Sequence, residues 1–121
     1  MIVNIPYETP SKKNSRVVDR RTGRTFPGKV YREWKRKASL WLKMHYDLKP
    51  LGDGPFSIRL SFIHGDNIRR DSDNGVSSIL DLFVDLGVLP DDNWKVVKSI
   101  QVTNEYEKGQ PSVQVAIVPL A

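Results

Sequence analysis

The chain has no cysteine, only two histidines, and no apolar run longer than a few residues. Without cysteine there is no disulfide scaffold, no thiolate nucleophile and no Cys-based zinc site, and two histidines do not build a structural zinc cage. Any metal must therefore be held by oxygen. The apolar runs are far short of the ~20 residues that span a bilayer, and Met1-Ile2-Val3-Asn4-Ile5-Pro6 lacks the pattern of a secretory signal. The sequence thus predicts a protein of the cytoplasm with no membrane partner. What remains, 121 residues with 39% hydrophobic and 27% charged content, predicts a single domain over 1–121 with a real core.

The net charge of +5 hides an asymmetry. Residues 12–43 hold twelve Lys or Arg against Asp19 and Glu33, while the rest of the chain carries an acidic excess. Within the arm at about 9–30, Lys12, Lys13, Arg16, Arg20, Arg21 and Arg24 are interrupted by Pro and Gly, which suits an exposed loop or ribbon. Such density is the electrostatic footprint of phosphate-backbone binding; a merely solubilising surface is the plainer account of it.

Periodicity predicts the elements. Ile2–Ile5 reads as a short strand. Tyr31, Trp34, Ala38, Trp41, Leu42 and His45 recur at helical spacing opposite Arg32, Lys35, Arg36, Ser39 and Lys43, so the tryptophans belong to the core rather than to a base-stacking platform. Phe56, Ile58, Leu60 and Phe62 alternate with polar residues as a half-buried strand does. A second helix is expected over 74–86, capped by Asp73 and stopped by Gly87. Two β-rich runs, 95–107 and 111–119, read as a C-terminal antiparallel hairpin with an open edge at Gln114, Ala116 and Val118. The order β-α-β-α-β-β defines an α+β fold, a small mixed sheet with two helices.

The chemistry concentrates in Arg69-Arg70-Asp71-Ser72-Asp73-Asn74 and Pro90-Asp91-Asp92-Asn93. Asp71 and Asp73, two apart in extended chain, project to one side, and Asp91 or Asp92 brought beside them makes an oxygen cluster that repels itself unless a cation is bound. Mg²⁺, with Mn²⁺ as substitute, suits such a site, and an ion there activates water and stabilises charge developing on phosphorus. The same residues also have a purely structural account: Asp73 as helix cap, Asp91-Asp92 as turn, Asp71 as partner of Arg69 or Arg70. An EF-hand starting at Asp71 is excluded by Val76 and Leu82, no glycine pattern forms a phosphate loop, and neither His45 nor His64 has a neighbouring Ser or acid that suggests a triad.

Arg69-Arg70-Asp71-Ser72-Asp73-Asn74, followed by Ile79-Leu80-Asp81-Leu82, Gly87-Val88-Leu89 and Asp91-Asp92, resembles the RusA family of Holliday junction endonucleases, commonly carried by phages and prophages. The likeness extends more loosely to Pro10-Ser11-Lys12-Lys13-Asn14-Ser15 and to Tyr31-Arg32. It implies a homodimeric, Mg²⁺-dependent endodeoxyribonuclease acting on four-way junctions or other branched DNA in recombination and repair. Asp71, Asp73 and Asp92 match the family's catalytic acids, with Asp91 beside them at the metal, and Lys12, Lys13, Asn14, Arg16, Arg20, Arg21, Arg24, Arg69 and Arg70 are the expected DNA contacts. One position departs from the pattern. Where members with a catalytic lysine carry it, this chain has Ser77, so Arg70, Lys95 or Lys98 is expected to supply the charge; a catalytically weak branched-DNA-binding protein is the alternative, and a protein with a structural cation site alone is a third reading.

Reach adds a constraint. A helix over 74–86 is ~20 Å long, and the six residues 87–92 return at most ~20 Å. Closure within one chain is only just within reach; the alternatives are that Asp92 joins the aspartates of a partner subunit or that the second helix is shorter.

Overall fold

A computed structural model describes residues 1–12 and 16–120. In chain order the elements are β1 (Ile2–Ile5), β2 (Arg16–Val18), β3 (Thr25–Pro27), α1 (Lys29–His45), β4 (Phe56–His64), α2 (Val76–Asp85), β5 (Val97–Tyr106) and β6 (Ser112–Pro119). This is the expected α+β order with one addition: the basic arm forms its own two-stranded antiparallel ribbon, β2 with β3.

Amphipathic alternation builds the main sheet. Phe56, Ile58, Leu60 and Phe62 of β4, Val113, Val115 and Ile117 of β6, and Val3 and Ile5 of β1 all point to one buried face. Against it pack Tyr31, Trp34, Ala38 and Leu42 of α1 with Ile79, Leu80, Leu82 and Phe83 of α2. Trp34 is core, as its spacing predicts, and Trp41 is half-buried at the edge. No helix among the described residues is long and apolar enough to cross a membrane.

The strand order is β1-β6-β4-β5. The expected C-terminal hairpin is therefore wrong: β5 pairs parallel with β4, β6 pairs antiparallel with β4, and the two never meet. A parallel pair needs a long crossover, and the segment carrying α2 between β4 and β5 provides one. β5 is thereby placed on one flank of β4, leaving the other flank to β6. The short link from β5 to β6 crosses the end of β4, where Glu107 N–H donates to the His64 carbonyl at 3.0 Å and Gly109 N–H to that of Gly65 at 2.8 Å.

The expected open edge at Gln114, Ala116 and Val118 is corrected by the same topology, because β6 is hydrogen-bonded on both sides. The true edges are β1 and β5. Side chains cover part of the first: Tyr46 Oη accepts from Asn4 N–H, and Trp41 Nε1 donates to the Asn4 carbonyl, both at 3.0 Å. β5 is ten residues long and mostly exposed.

The second helix is shorter than expected, ten residues. Asp73 does not cap it. The chain takes two tight turns first, with Asn74 N–H on the Asp71 carbonyl at 3.0 Å and Val76 N–H on that of Asp73 at 3.1 Å, so the cap position falls on Gly75. A Cβ there would lie 2.8 Å from Thr9 Cγ2 and 2.9 Å from Phe62 Cε1; this close approach is why the position holds glycine. Gly87, at φ +74, stops the helix as expected. Its N–H reaches the Val84 carbonyl at 3.0 Å and Val88 N–H reaches that of Phe83 at 3.0 Å, a Schellman closure.

Candidate functional site

The turns ahead of α2 carry Asp71 and Asp73 to the surface, where both carboxylates are exposed. Together with Ser11, Asn74 and Ser77 they line a pocket of about 330 Å³. Among the described residues neither carboxylate has an ion pair or side-chain hydrogen bond. The pocket opens beside a larger cleft of about 820 Å³ that shares Asp71, Ser11 and Asn74 with it and is walled by Tyr7 and Trp34 and by both signs of charge, Arg36, Lys37, Arg69 and Arg70 against Glu8 and Glu33. Two unneutralised carboxylates with neutral oxygen donors close by fit a hard divalent cation that keeps several waters.

The start of the basic arm is fastened to α2 next to this pocket. Buried Ser78 donates its hydroxyl to the Pro10 carbonyl at 2.7 Å and accepts Lys12 N–H at 3.1 Å. Lys12 Nζ then lies 3.3 Å from Asp81, which also accepts from Lys35 Nζ at 2.9 Å and from the Tyr31 hydroxyl. Lys35 pairs with Asp85 as well, so it leaves the exposed face of α1 where its spacing had put it. Burial disfavours the charge on Asp81, but the bonds from Tyr31 and Lys35 outweigh it and hold the carboxyl below its ordinary range. Burial likewise opposes the charge on Lys35, and the bonds to Asp85 and Asp81 raise its pKa.

The nine expected DNA contacts divide into groups. Arg20, Arg21 and Arg24 are exposed around the ribbon tip, which is closed by Asp19 N–H on the Arg24 carbonyl and Gly23 N–H on that of Asp19, both 2.8 Å. Arg69 is exposed in the cleft wall. Lys12 and Arg70 are held by acids: Lys12 by Asp81, and Arg70, although it lines the cleft beside Arg69, by a fork onto Asp66 at 2.7 and 3.0 Å with Glu8 3.6 Å away. That fork lowers the Asp66 pKa and raises that of Arg70. Lys13 and Asn14 lie outside the described residues, and Arg16 is placed only as part of the β2 backbone.

Asp91 and Asp92 sit beyond the other end of α2. Asp91 is a turn residue; its Oδ1 accepts Asp92 N–H at 2.7 Å and its Oδ2 accepts Asn93 Nδ2 at 2.9 Å, which lowers its pKa. Asp92, Lys95 and Lys98 are exposed and line neither pocket. No group of three or more acidic or histidine side chains able to hold a metal exists among the described residues. The structure thus brings Asp71 and Asp73 together and leaves Asp92 apart.

His64 does have an acidic partner, contrary to the sequence reading: its ring lies between Glu8 and Asn104. The sequence separations, 56 and 40 residues, gave no local signal.

Paired carboxylates beside a cleft that carries four basic side chains, on an α+β sheet with a basic ribbon, are compatible with a polyanionic ligand. The family model described as Endodeoxyribonuclease RusA matches residues 6–118, so the chain belongs to that family of nucleases. No curated protein matches it.

Proposed function

We propose that this nuclease is a divalent-cation-dependent homodimer that cuts branched DNA, four-way junctions above all, and serves recombination and repair in the cytoplasm of a bacterium or a phage-infected host. The observation that carries the reading is the pair Asp71 and Asp73, without protein counter-ions among the described residues, in a pocket that opens beside the cleft. These two carboxylates hold Mg²⁺, or Mn²⁺ in its place. A bound ion of this kind lowers the pKa of water and offsets charge building on the phosphate.

Around that centre the protein's own groups position the substrate. Arg69 and the cleft cations Arg36 and Lys37 take the phosphates on either side of the scissile bond, and the ribbon arginines hold a neighbouring arm of the junction without reading its sequence. A water attacks phosphorus in line with the leaving sugar oxygen and gives up a proton to solvent; the new P–O bond forms as the old one breaks, and the leaving oxygen takes a proton from solvent.

The third carboxylate comes from a second subunit. The ten residues of α2 span ~15 Å, which the segment 87–92 is long enough to retrace, yet Asp92 is exposed at the far end of the helix and lines neither pocket, so it is free to serve a neighbouring chain. β5 offers a free edge for pairing, with Ile100 exposed on it at 42% and Trp94 exposed at 72% in the turn that leads into it.

The test is a labelled four-way junction and a plain duplex of equal length, each incubated with protein in Mg²⁺ or in EDTA. Junction cleavage only in Mg²⁺, abolished by Asp73→Asn with binding retained or tightened, is expected; a duplex cut as fast as the junction would sink the structure selectivity. Ser77, on the pocket wall where a cation would serve catalysis, favours the second reading, a catalytically weak junction-binding protein. That reading predicts tight metal-independent binding and no nicking.

A further inference from the structure

Glu8, His64 and Asn104 have no part in the chemistry above, yet they form one hydrogen-bonded chain ending at the aspartate turns. His64 closes β4 with Nδ1 2.8 Å from Glu8 Oε2 and Nε2 2.8 Å from Asn104 Oδ1. Asn104, on the neighbouring β5, donates Nδ2 to the Ser72 carbonyl at 2.9 Å. A carbonyl only accepts, which fixes the amide with its nitrogen toward Ser72 and its oxygen toward the imidazole. The Glu8 carboxylate also accepts, so the imidazole lies between two oxygen acceptors.

The far side of the chain is equally anchored. Glu8 Oε1 accepts Gly65 N–H at 3.1 Å and lies 3.6 Å from Arg70, which forks onto Asp66. The Phe62 ring stacks beside the imidazole at 6.2 Å and 9°. The charged groups facing His64 are therefore Glu8, Asp66 and Arg70, with Asn104 closing the ring on the β5 side. The carbonyl that Asn104 holds belongs to Ser72, the residue between Asp71 and Asp73.

We propose that Asn104, oriented by His64 and Glu8, is a positioning residue that sets the Asp71–Asp73 turns in the geometry that binds the cation; this rests on the nuclease reading above. Two exposed carboxylates on a short turn repel one another, and a bond to the peptide between them limits how far they spread. Removing partners of this outer kind lowers metal affinity or activity by about 10- to 100-fold.

Asn104→Leu removes both bonds at an exposed edge-strand position, whereas Asn104→Asp keeps the acceptor for His64 and loses only the donor to Ser72. With either variant, calorimetric titration of the DNA-free protein with MnCl₂ is expected to show affinity about 10- to 100-fold weaker. The single-turnover cleavage rate falls in step, while junction binding in Ca²⁺ and the melting temperature stay near wild type. Amide exchange at Asn74 and Val76 accelerates. His64→Leu, which removes the partner that orients the Asn104 amide, is expected to accelerate exchange at the same two amides; unchanged exchange there overturns the link through His64. Wild-type Mn²⁺ affinity and cleavage rate in Asn104→Leu overturn the positioning role and leave the nuclease reading standing. Wild-type protein that binds no Mn²⁺ overturns the nuclease reading instead, and the exchange comparison alone then decides whether Asn104 holds the turns.

Discussion

Asp81 lies near the C-terminal end of α2, where the helix dipole disfavours an acid, and the donors Tyr31, Lys35 and Lys12 offset that cost. Its folded-state pKa is depressed, so its contribution to stability is present at neutral pH and is lost as pH falls through the carboxylate range. Asp81→Asn should cost about 1–3 kcal/mol at pH 7 in urea unfolding, and the gap should narrow below about pH 4. A gap equally wide at pH 3 would show that the charge is not what matters. Asp71→Asn, by contrast, should leave stability unchanged and remove cleavage. Asp71 and Asp73 were legible in the sequence because their proximity is local, two residues apart in an exposed run. The contacts of Glu8 and Asn104 with His64 were not, because only the assembled sheet brings them there.

Among the elements, those with their own stop signals and periodicity read correctly. β4 alternates, α1 carries its apolar stripe, and Gly87 ends α2 in the left-handed conformation. The C-terminal pairing did not read, since adjacency of β5 and β6 in sequence says nothing about a strand inserted between them from earlier in the chain. Asp73 failed as a cap because the close contact of Gly75 with Thr9 and Phe62 shifts the helix start by two residues. Gly87→Ala should therefore cost about 1 kcal/mol, through backbone strain alone, since nothing lies within 4 Å of an added Cβ. Gly75→Ala should both destabilise by about 1–3 kcal/mol and slow cleavage, because Thr9 or Phe62 must shift and the aspartate turns with them. Chemical denaturation beside a junction-cutting assay separates the two effects. In the ribbon, replacing Arg20, Arg21 and Arg24 with Ala should weaken junction and duplex binding alike and flatten the salt dependence by about 0.9 per lost phosphate contact. An unchanged slope removes the ribbon from the interface.

For the whole molecule, the separation of Asp92 from Asp71 and Asp73 makes subunit mixing decisive. Asp73→Asn and Asp92→Asn, each inactive alone, should regain one working site per heterodimer if the site is shared, and none if each chain builds its own. Light scattering at the concentration used for cleavage should give twice the mass of the chain, 13.8 kDa. Adding a charge on the free edge, as Ile100→Lys does, should shift that equilibrium toward monomer and lose cleavage in proportion; a variant that is monomeric and still cuts would separate catalysis from pairing.

The placement of β6 between β1 and β4 also governs when the molecule comes into being. The ladder of β1 joins Ile2 to Ala116 and Ile5 to Val113, and among the described residues β1 has no other strand beside it. During vectorial synthesis β1 must wait, unpaired, until β6 has left the ribosome. The buried face of β4 is likewise flanked on one side only until that moment. The sheet closes late and all at once, after residues with very high sequence separation meet, which makes for slow folding. A nascent chain whose basic arm has already emerged therefore carries a polycation with no assembled cutting centre behind it.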